Sequence, residues 1–390
     1  MTTKIGLFKV FMSSDVIKPL NKTLLSGYIA QGPRVEEYET QLKKYYENDR
    51  IITVNAATSG LHLSLRLLRK EIRSEGYHEK INVLSCPQTC TATNFPIPEN
   101  GYGIKWVDID PTNCNINLED LVNKLDYTTR IIMIVHWAGY PINLDRLSAI
   151  QAYAKFKFGY TPWIIQDCAH AFGAKFKGNY LANHPKLKQS LCVYSTQAIK
   201  HLTTGDGGFV ILPTDELYRR GKLLRWYGIS REAPKNKKDY RIEQDVVEWG
   251  YKFHMNDINA TIGLYNFPYI QKHIDRAITI ANYYHKNIKN DHITLLDYSD
   301  HVNEAAWWIY TFRVKNKAEF IQYMDTKGIA ASQVHKRNDN HSCLEEFKSE
   351  LPALDEFEKE LICIPIGWWI NEEQMKYIVK SVNEFKINEI

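Results

Sequence analysis

Three stretches of the chain carry residue types that could do chemistry together. The first is Asn55-Ala56-Ala57-Thr58-Ser59-Gly60, a small-residue turn opening a helical pattern. Such a turn offers backbone N–H groups and hydroxyls to an anion. Taken alone, an ordinary N-cap by Thr58 or Ser59 is the simpler account of it. The second is Asp167, which ends the apolar run WIIQD and leads into Cys168-Ala169-His170. An unpaired carboxylate there is costly, so Asp167 needs a cationic partner, an arginine for example, or several donors. The third is Lys200, which closes Ser195-Thr-Gln-Ala-Ile-Lys200 just past the run LCVYS and precedes TTGDGG. The glycines follow the lysine, which excludes a P-loop. An anion cup, a carboxylate at a strand end and a lysine after the following strand together meet the needs of pyridoxal phosphate. The phosphate needs an anion site, the pyridine nitrogen needs an Asp to stay protonated, and the aldehyde needs a lysine for a Schiff base.

The elements that must position these residues are legible as well. Between about residues 50 and 212 lie seven apolar runs: 51–54, 82–86, 104–109, 130–136, 163–167, 191–195 and 208–212. Helical periodicity separates several of them. One such segment carries Leu61, Leu65 and Leu68; another carries Leu144, Leu147, Ile150 and Ala154, with Asn143 or Asp145 near its start. Strands alternating with helices predict an α/β domain with a mostly parallel sheet. The runs alternate little with polar residues, so the strands are expected to be covered on both faces. In open sheets of this class ligands sit at the carboxyl ends of strands, where Asn55, His136, Asp167 and Ser195 fall. The polar stretch 231–245 reads as an exposed loop and the first candidate for mobility. A helix from Asp257 to about Tyr265 then leads into a different texture, with helical patterns around 270–290 and 317–327 flanking WWIYTFRV (307–314). We expect a large α/β domain over 1–258 and a smaller α+β domain over 259–390.

Composition bounds the function classes. A 390-residue chain with 44% hydrophobic and 24% charged residues is ordinary globular material, and its net charge of +4 forms no long basic run. Neither nucleic acid nor a membrane surface is the expected partner. No run approaches the roughly 18 apolar residues of a spanning helix. The N-terminus lacks the pattern of a secretory signal. Seven cysteines form no C-x-x-C pair, and buried free thiols in a reducing cytoplasm are expected. The thirteen histidines show no H-E-x-x-H, so no metal site is expected.

The ordered landmarks NAATSGLHLSL, VDIDPTN, VHWAGYPINLDRL, IIQDCAHAFGA, STQAIKHLTTGDGGF, LLRWYGI and GYKFHMNDINATIGL make the chain recognisable. It resembles the DegT/DnrJ/StrS family of nucleotide-sugar aminotransferases over nearly its whole length, from LLSGYIAQGPRVEEYE (24–39) to LICIPIGWWINEEQMKYIV (361–379). The resemblance implies the aspartate-aminotransferase type of fold, that of fold type I pyridoxal-phosphate enzymes. It also implies that Lys200 bonds the cofactor, that Asp167 pairs with the pyridine nitrogen, and that His170 lies near the ring hydroxyl. By the same resemblance Thr58, Ser59 and Ser195 contact the phosphate, and Lys252 reaches it from the neighbouring subunit of a homodimer. Two positions depart from the family pattern. Cys90 in PQTCTATN stands where many members have an aromatic stacked on the cofactor, and a polarizable thiol can still pack on a π face. Tyr227 in RWYGI replaces a usual histidine near the expected substrate mouth. The resemblance implies transfer of an amino group, with glutamate as the expected donor, to a nucleotide-linked keto-6-deoxy sugar, with C4 preferred over C3. A dehydrating branch of the family has His in place of the lysine, and Lys200 favours transamination; a silent cofactor-binding regulator is the third reading.

Overall fold

The structure is a computed structural model that describes residues 4–77, 79–230, 245–298 and 304–387. The stretch expected to be a mobile loop lies, except for residue 245, outside the described residues.

The seven apolar runs become the seven strands of one sheet: β1 (Ile51–Val54), β2 (Asn82–Ser85), β3 (Gly103–Trp106), β4 (Thr129–Val135), β5 (Trp163–Asp167) and, after the small hairpin β6 (Lys175–Phe176) and β7 (Asn179–Tyr180), β8 (Ser190–Ser195) and β9 (Gly208–Ile211). The order across the sheet is β1-β9-β8-β5-β4-β2-β3. Every neighbouring pair is parallel except those of β9, which runs antiparallel to both β1 and β8. Strands β1, β5 and β9 are buried along their whole length, as their unalternating sequences require.

Helix Ala57–Ser74 follows β1 and packs on β8 and β9. Leu61, Leu65, Leu68 and Ile72 turn one stripe inward and are buried. Each contributes roughly 1.5–3 kcal/mol through that burial. Of the two candidate caps for helix Leu144–Phe158, Asn143 serves: its Oδ1 accepts the Arg146 N–H at 3.0 Å. Asp257 begins helix Asp257–Asn266, which packs on helices Ile17–Leu25 and Pro33–Tyr46. The division expected after residue 258 falls inside this helix.

Beyond helix Ile270–Asn287 the chain builds a second, antiparallel sheet of β10 (Ile293–Leu295), β11 (Tyr310–Val314) and β12 (Leu361–Ile364), in that order. Helices Lys317–Thr326, Pro352–Glu360 and Glu372–Glu384 accompany it, the α+β mixture expected for this part. The N-terminal segment crosses to it, with Ile5 bridged to Ile329 and Phe8 stacked on Trp308 at 4.8 Å between ring centroids. Among the described residues no helix is long and apolar enough to cross a membrane.

One buried ion pair ties the elements around β1 together. Arg225, 3% exposed, donates to Glu39 Oε1 at 2.5 Å and to the Thr53 carbonyl at 2.9 Å. Thr53 gives the same carboxylate oxygen its N–H at 2.9 Å and its hydroxyl at 2.8 Å. Burial raises the Glu39 pKa, but the Arg225 charge and these donors outweigh it and leave it below the ordinary glutamate value.

Candidate active site

The anion cup lies at the N-terminus of helix Ala57–Ser74. Ala56 is its N-cap residue and, among the described residues, no side chain caps it; Ser59 Oγ turns instead to Asn55 Oδ1 at 2.7 Å. Neither Thr58 nor Ser59 therefore acts as the ordinary cap that the sequence allowed, and the first N–H groups face out of the helix with the positive end of its dipole. Ser195 ends β8 and pairs with Gly208 at the start of β9. A Cβ on Gly208 would lie 2.9 Å from the Ala57 nitrogen and 2.5 Å from the Tyr194 carbonyl. Glycine is what lets the helix end approach the strand ends. The hydroxyl-bearing Thr58, Ser59 and Ser195 are gathered there.

Asp167 ends β5, next to β8, and is 4% exposed. Its Oδ2 accepts the Thr93 hydroxyl at 2.7 Å and its Oδ1 the Ala169 N–H at 3.0 Å. Burial pushes its pKa up, while those two donors and the charge on Lys200 oppose the rise. Among the described residues its partners are these donors and the nearby lysine, not an arginine. Lys200 is partly buried, and its Nζ lies 3.4 Å from the centroid of a Trp308 ring. A cation over tryptophan gains about 0.5–2 kcal/mol. Desolvation nevertheless wins: burial pushes the Lys200 pKa down to about 7, against the pull of Asp167. The lysine can thus be a free amine at neutral pH.

Trp308 arrives from the second unit and is held from both sides. Its N–H donates to the Ala138 carbonyl at 2.8 Å, and its Nε1 to the Ile199 carbonyl at 2.9 Å. The Ala138–Gly139 turn after β4 makes the approach possible. Gly139 has φ +87°, and a Cβ there would run into the His170 carbonyl and come within 2.9 Å of the Trp307 nitrogen.

His170 stacks on Trp308 at 4.0 Å and, at 5.7 Å, on His335. Burial and the Lys200 charge hold it well below the ordinary histidine value, so it is neutral. Its Nδ1 is buried and has no hydrogen-bond partner among the described residues. Cys90 precedes the short helix Thr91–Asn94 and is close enough to Lys200 to act on its charge. Lys252 is exposed and bridges Trp226 through its backbone. Its carbonyl accepts Asn55 Nδ2 at 3.4 Å, which places residue 252 beside the cup of its own chain. Tyr227 has φ +57° and is 42% exposed.

The structure thus brings Asp167, Lys200, His170 and Cys90 together and sets Thr58, Ser59 and Ser195 at the adjoining helix end. Sequence reasoning missed Trp308, Thr93 and His335. Trp308 sat in the run WWIYTFRV, which carried no mark of a site, and Thr93 in a segment notable only for Cys90 in place of an aromatic. Nothing in the sequence around His335 marked it. A groove of about 920 Å³, lined in part by Glu36, Lys43, Tyr218 and Lys222, lies away from this chemistry. A smaller cavity of about 410 Å³, lined by Asn55, Gly205, Asp206, Met255, Asn256 and Asn259, opens beside the cup. Among the described residues no group of three or more His, Cys, Asp or Glu could hold a metal ion, and all seven cysteines are free.

Residues 11–383 match the model of the DegT/DnrJ/EryC1/StrS aminotransferase family. The fold superposes on the crystal structure of sugar aminotransferase CalS13 from Micromonospora echinospora with TM-score 0.89 and 39% identity, covering 97% of this chain and 99% of that one. For the crystal structure of AtS13 from Actinomadura melliaura the TM-score is 0.91 and the identity 38%, over 99% and 100% of the two chains. An uncharacterized protein of Methanocaldococcus jannaschii is 30% identical over 336 residues, 83% of this chain and 82% of its own.

Proposed function

The chain belongs to the DegT/DnrJ/EryC1/StrS aminotransferase family, and from that premise we propose that it moves an amino group from glutamate to the keto carbon of a nucleotide-linked 4-keto-6-deoxy sugar, using pyridoxal phosphate. The observation that carries the cofactor is the nearness of Asp167 to Lys200. A buried carboxylate at the end of β5 lies within charge reach of a lysine whose ammonium is destabilised to a pKa of about 7. The other groups fit as well. The uncapped helix end with Thr58, Ser59 and Ser195 suits a phosphate. The buried, unpartnered Nδ1 of His170 suits a ring hydroxyl.

Bound there, pyridoxal phosphate would supply an aldehyde to take up the amine and a ring to withdraw electrons. Asp167 would hold a proton at the ring nitrogen. Lys200 would hold the aldehyde carbon and, once free, accept and return a proton through Nζ; burial, which lowers its pKa to about 7, favours the unprotonated amine that can accept it. Trp308 and His170 would exclude water from one side of that amine. Support for glutamate and for the C4 sugar comes from the family resemblance alone.

We place the enzyme in a homodimer with shared sites, in which Lys252 serves the neighbour's phosphate. Its exposure, and the absence of any ion pair to its side chain among the described residues, support that reading. Seven free thiols suit the cytoplasm. The test is mass spectrometry of the product after incubation with glutamate, the cofactor and a panel of nucleotide-linked 4-keto- and 3-keto-6-deoxy sugars. An amino sugar from the 4-keto substrates supports the proposal. Amination confined to the 3-keto substrates, or loss of water without amination, would overturn it.

A further inference from the structure

Asp167 is held by a chain of hydroxyls with a fixed direction. Thr93 is buried in helix Thr91–Asn94, and its Oγ1 donates to Asp167 Oδ2 at 2.7 Å. The Oγ1 of Thr89, also buried, lies 2.9 Å from Thr93 Oγ1. A hydroxyl carries one proton. Thr93 gives its proton to the carboxylate, so Thr89 must be the donor in the second contact whenever Asp167 is ionised. The chain then runs from Thr89 to Thr93 to Asp167, and each link polarises the next.

The far end of the chain is fixed by the second unit. Asn338 Nδ2 donates to the Thr89 carbonyl at 2.8 Å, and the Asn338 N–H donates to the Pro87 carbonyl at 2.8 Å. Asn338 Oδ1 accepts Asn94 Nδ2 at 2.8 Å. One fully buried residue, through its backbone N–H and its side chain, therefore clamps both ends of the 87–94 turn that carries the two threonines.

We propose that Thr93 is a positioning residue that keeps Asp167 ionised and aimed, with Thr89 as its donor and Asn338 as the clamp of the turn. The inference rests on the reading of Asp167 as the partner of the cofactor's ring nitrogen. The titratable side chains on the elements packed around Asp167 include Lys200 after β8, Cys192 and Tyr194 on β8, Cys168 and His170 on its own turn, His136 after β4, and Cys86 and Cys90 at the 87–94 turn. Of these, Lys200 favours the anion. None replaces a hydroxyl donated directly to the carboxylate.

The experiment measures the affinity of the full-length apoprotein for pyridoxal phosphate, by tryptophan fluorescence, from pH 5 to 8. Wild type is compared with Thr93→Val, Thr93→Ser, Thr89→Val and Asp167→Asn, and melting temperatures are recorded alongside. Removing a hydrogen bond to a carboxylate raises its pKa, so the acid limb of binding in Thr93→Val should move up by about one to two pH units. Thr93→Ser, which keeps the hydroxyl, should restore the wild-type limb. Thr89→Val should move it upward by less, and this variant carries the test if Thr93→Val does not fold. Asp167→Asn should bind weakly at every pH. If Asp167→Asn weakens binding while Thr93→Val and Thr89→Val keep the wild-type limb, the inference is wrong and the reading of Asp167 survives. If Asp167→Asn binds as wild type does, the reading of Asp167 fails and the inference falls with it.

Discussion

Replacing either partner of the Glu39–Arg225 pair should destabilise the protein, but with different pH dependences. The two residues are 7% and 3% exposed, and the guanidinium meets Glu39 Oε1 at 2.5 Å. In Glu39→Gln the buried guanidinium keeps its charge, because arginine cannot deprotonate at any pH the fold survives. The expected cost is about 3–5 kcal/mol at both pH 7 and pH 5. In Arg225→Met the stranded carboxylate can escape by taking a proton. With an unfolded-state pKa of about 4.3, that escape costs about 3.7 kcal/mol at pH 7 and about 1 kcal/mol at pH 5. The loss relative to wild type should therefore shrink by about 2–3 kcal/mol between the two pH values. The wild-type pair behaves oppositely. Its Glu39 pKa is depressed, so its contribution is present above the unfolded pKa and fades as pH falls through the folded one. Urea unfolding followed by far-ultraviolet ellipticity at both pH values reads these differences. An Arg225→Met cost that is equal at pH 5 and pH 7, or a Glu39→Gln cost under about 1 kcal/mol, would refute the argument. The pair also bears on the site. The Arg225 carbonyl accepts the Phe253 N–H at 2.9 Å, and the Phe253 carbonyl accepts the Asn55 N–H at 2.7 Å. Both variants, when folded, should hold the cofactor's phosphate less tightly.

In protein stripped of cofactor, Lys200 should titrate near pH 7, read from the pH dependence of its labelling by an amine-specific reagent and peptide mapping. Asp167→Asn should move that midpoint lower, because the Asp167 charge supports the ammonium; a midpoint near that of free lysine would contradict the burial argument. Gly139→Ala puts a side chain at φ +87° into the His170 carbonyl, and should cost more than about 1 kcal/mol and displace Trp308. An unchanged melting curve and tryptophan emission would mean that the turn has room. Lys200→Ala and Lys252→Ala proteins, each poorly active alone, should recover roughly a quarter of wild-type activity when unfolded together and refolded, because random pairing yields mixed dimers with one intact site. No recovery, with mixed dimers seen by native mass spectrometry, would place Lys252 in its own subunit's site.

The large sheet was almost fully legible from sequence. Strands buried on both faces leave unbroken apolar runs, and six of the seven runs became strands within one residue of their expected ends, while the run 104–109 gave β3, which stops three residues early at Trp106. The residues at their carboxyl ends, Asp167 and Ser195, could be found for the same reason. What the sequence hid is contact across distance. Trp308 and His335 lie far along the chain from Lys200, and Trp308 reaches it where the turn at Ala138–Gly139 admits residues 306–308. Thr93 looks like any threonine until the fold sets its hydroxyl on Asp167. The cup was ambiguous because an N-cap and an anion site use the same residues, and only Ser59 turning to Asn55 separates the two.

On the proposed function, Lys200 holds the cofactor. This is tested most directly by adding pyridoxal phosphate to the purified protein, reducing with borohydride and mapping the modified peptide. One phosphopyridoxyl group is expected, on Lys200, and none there once excess glutamate has converted the cofactor before reduction. A stable adduct on another lysine, or labelling of Lys200 that glutamate does not prevent, would contradict it.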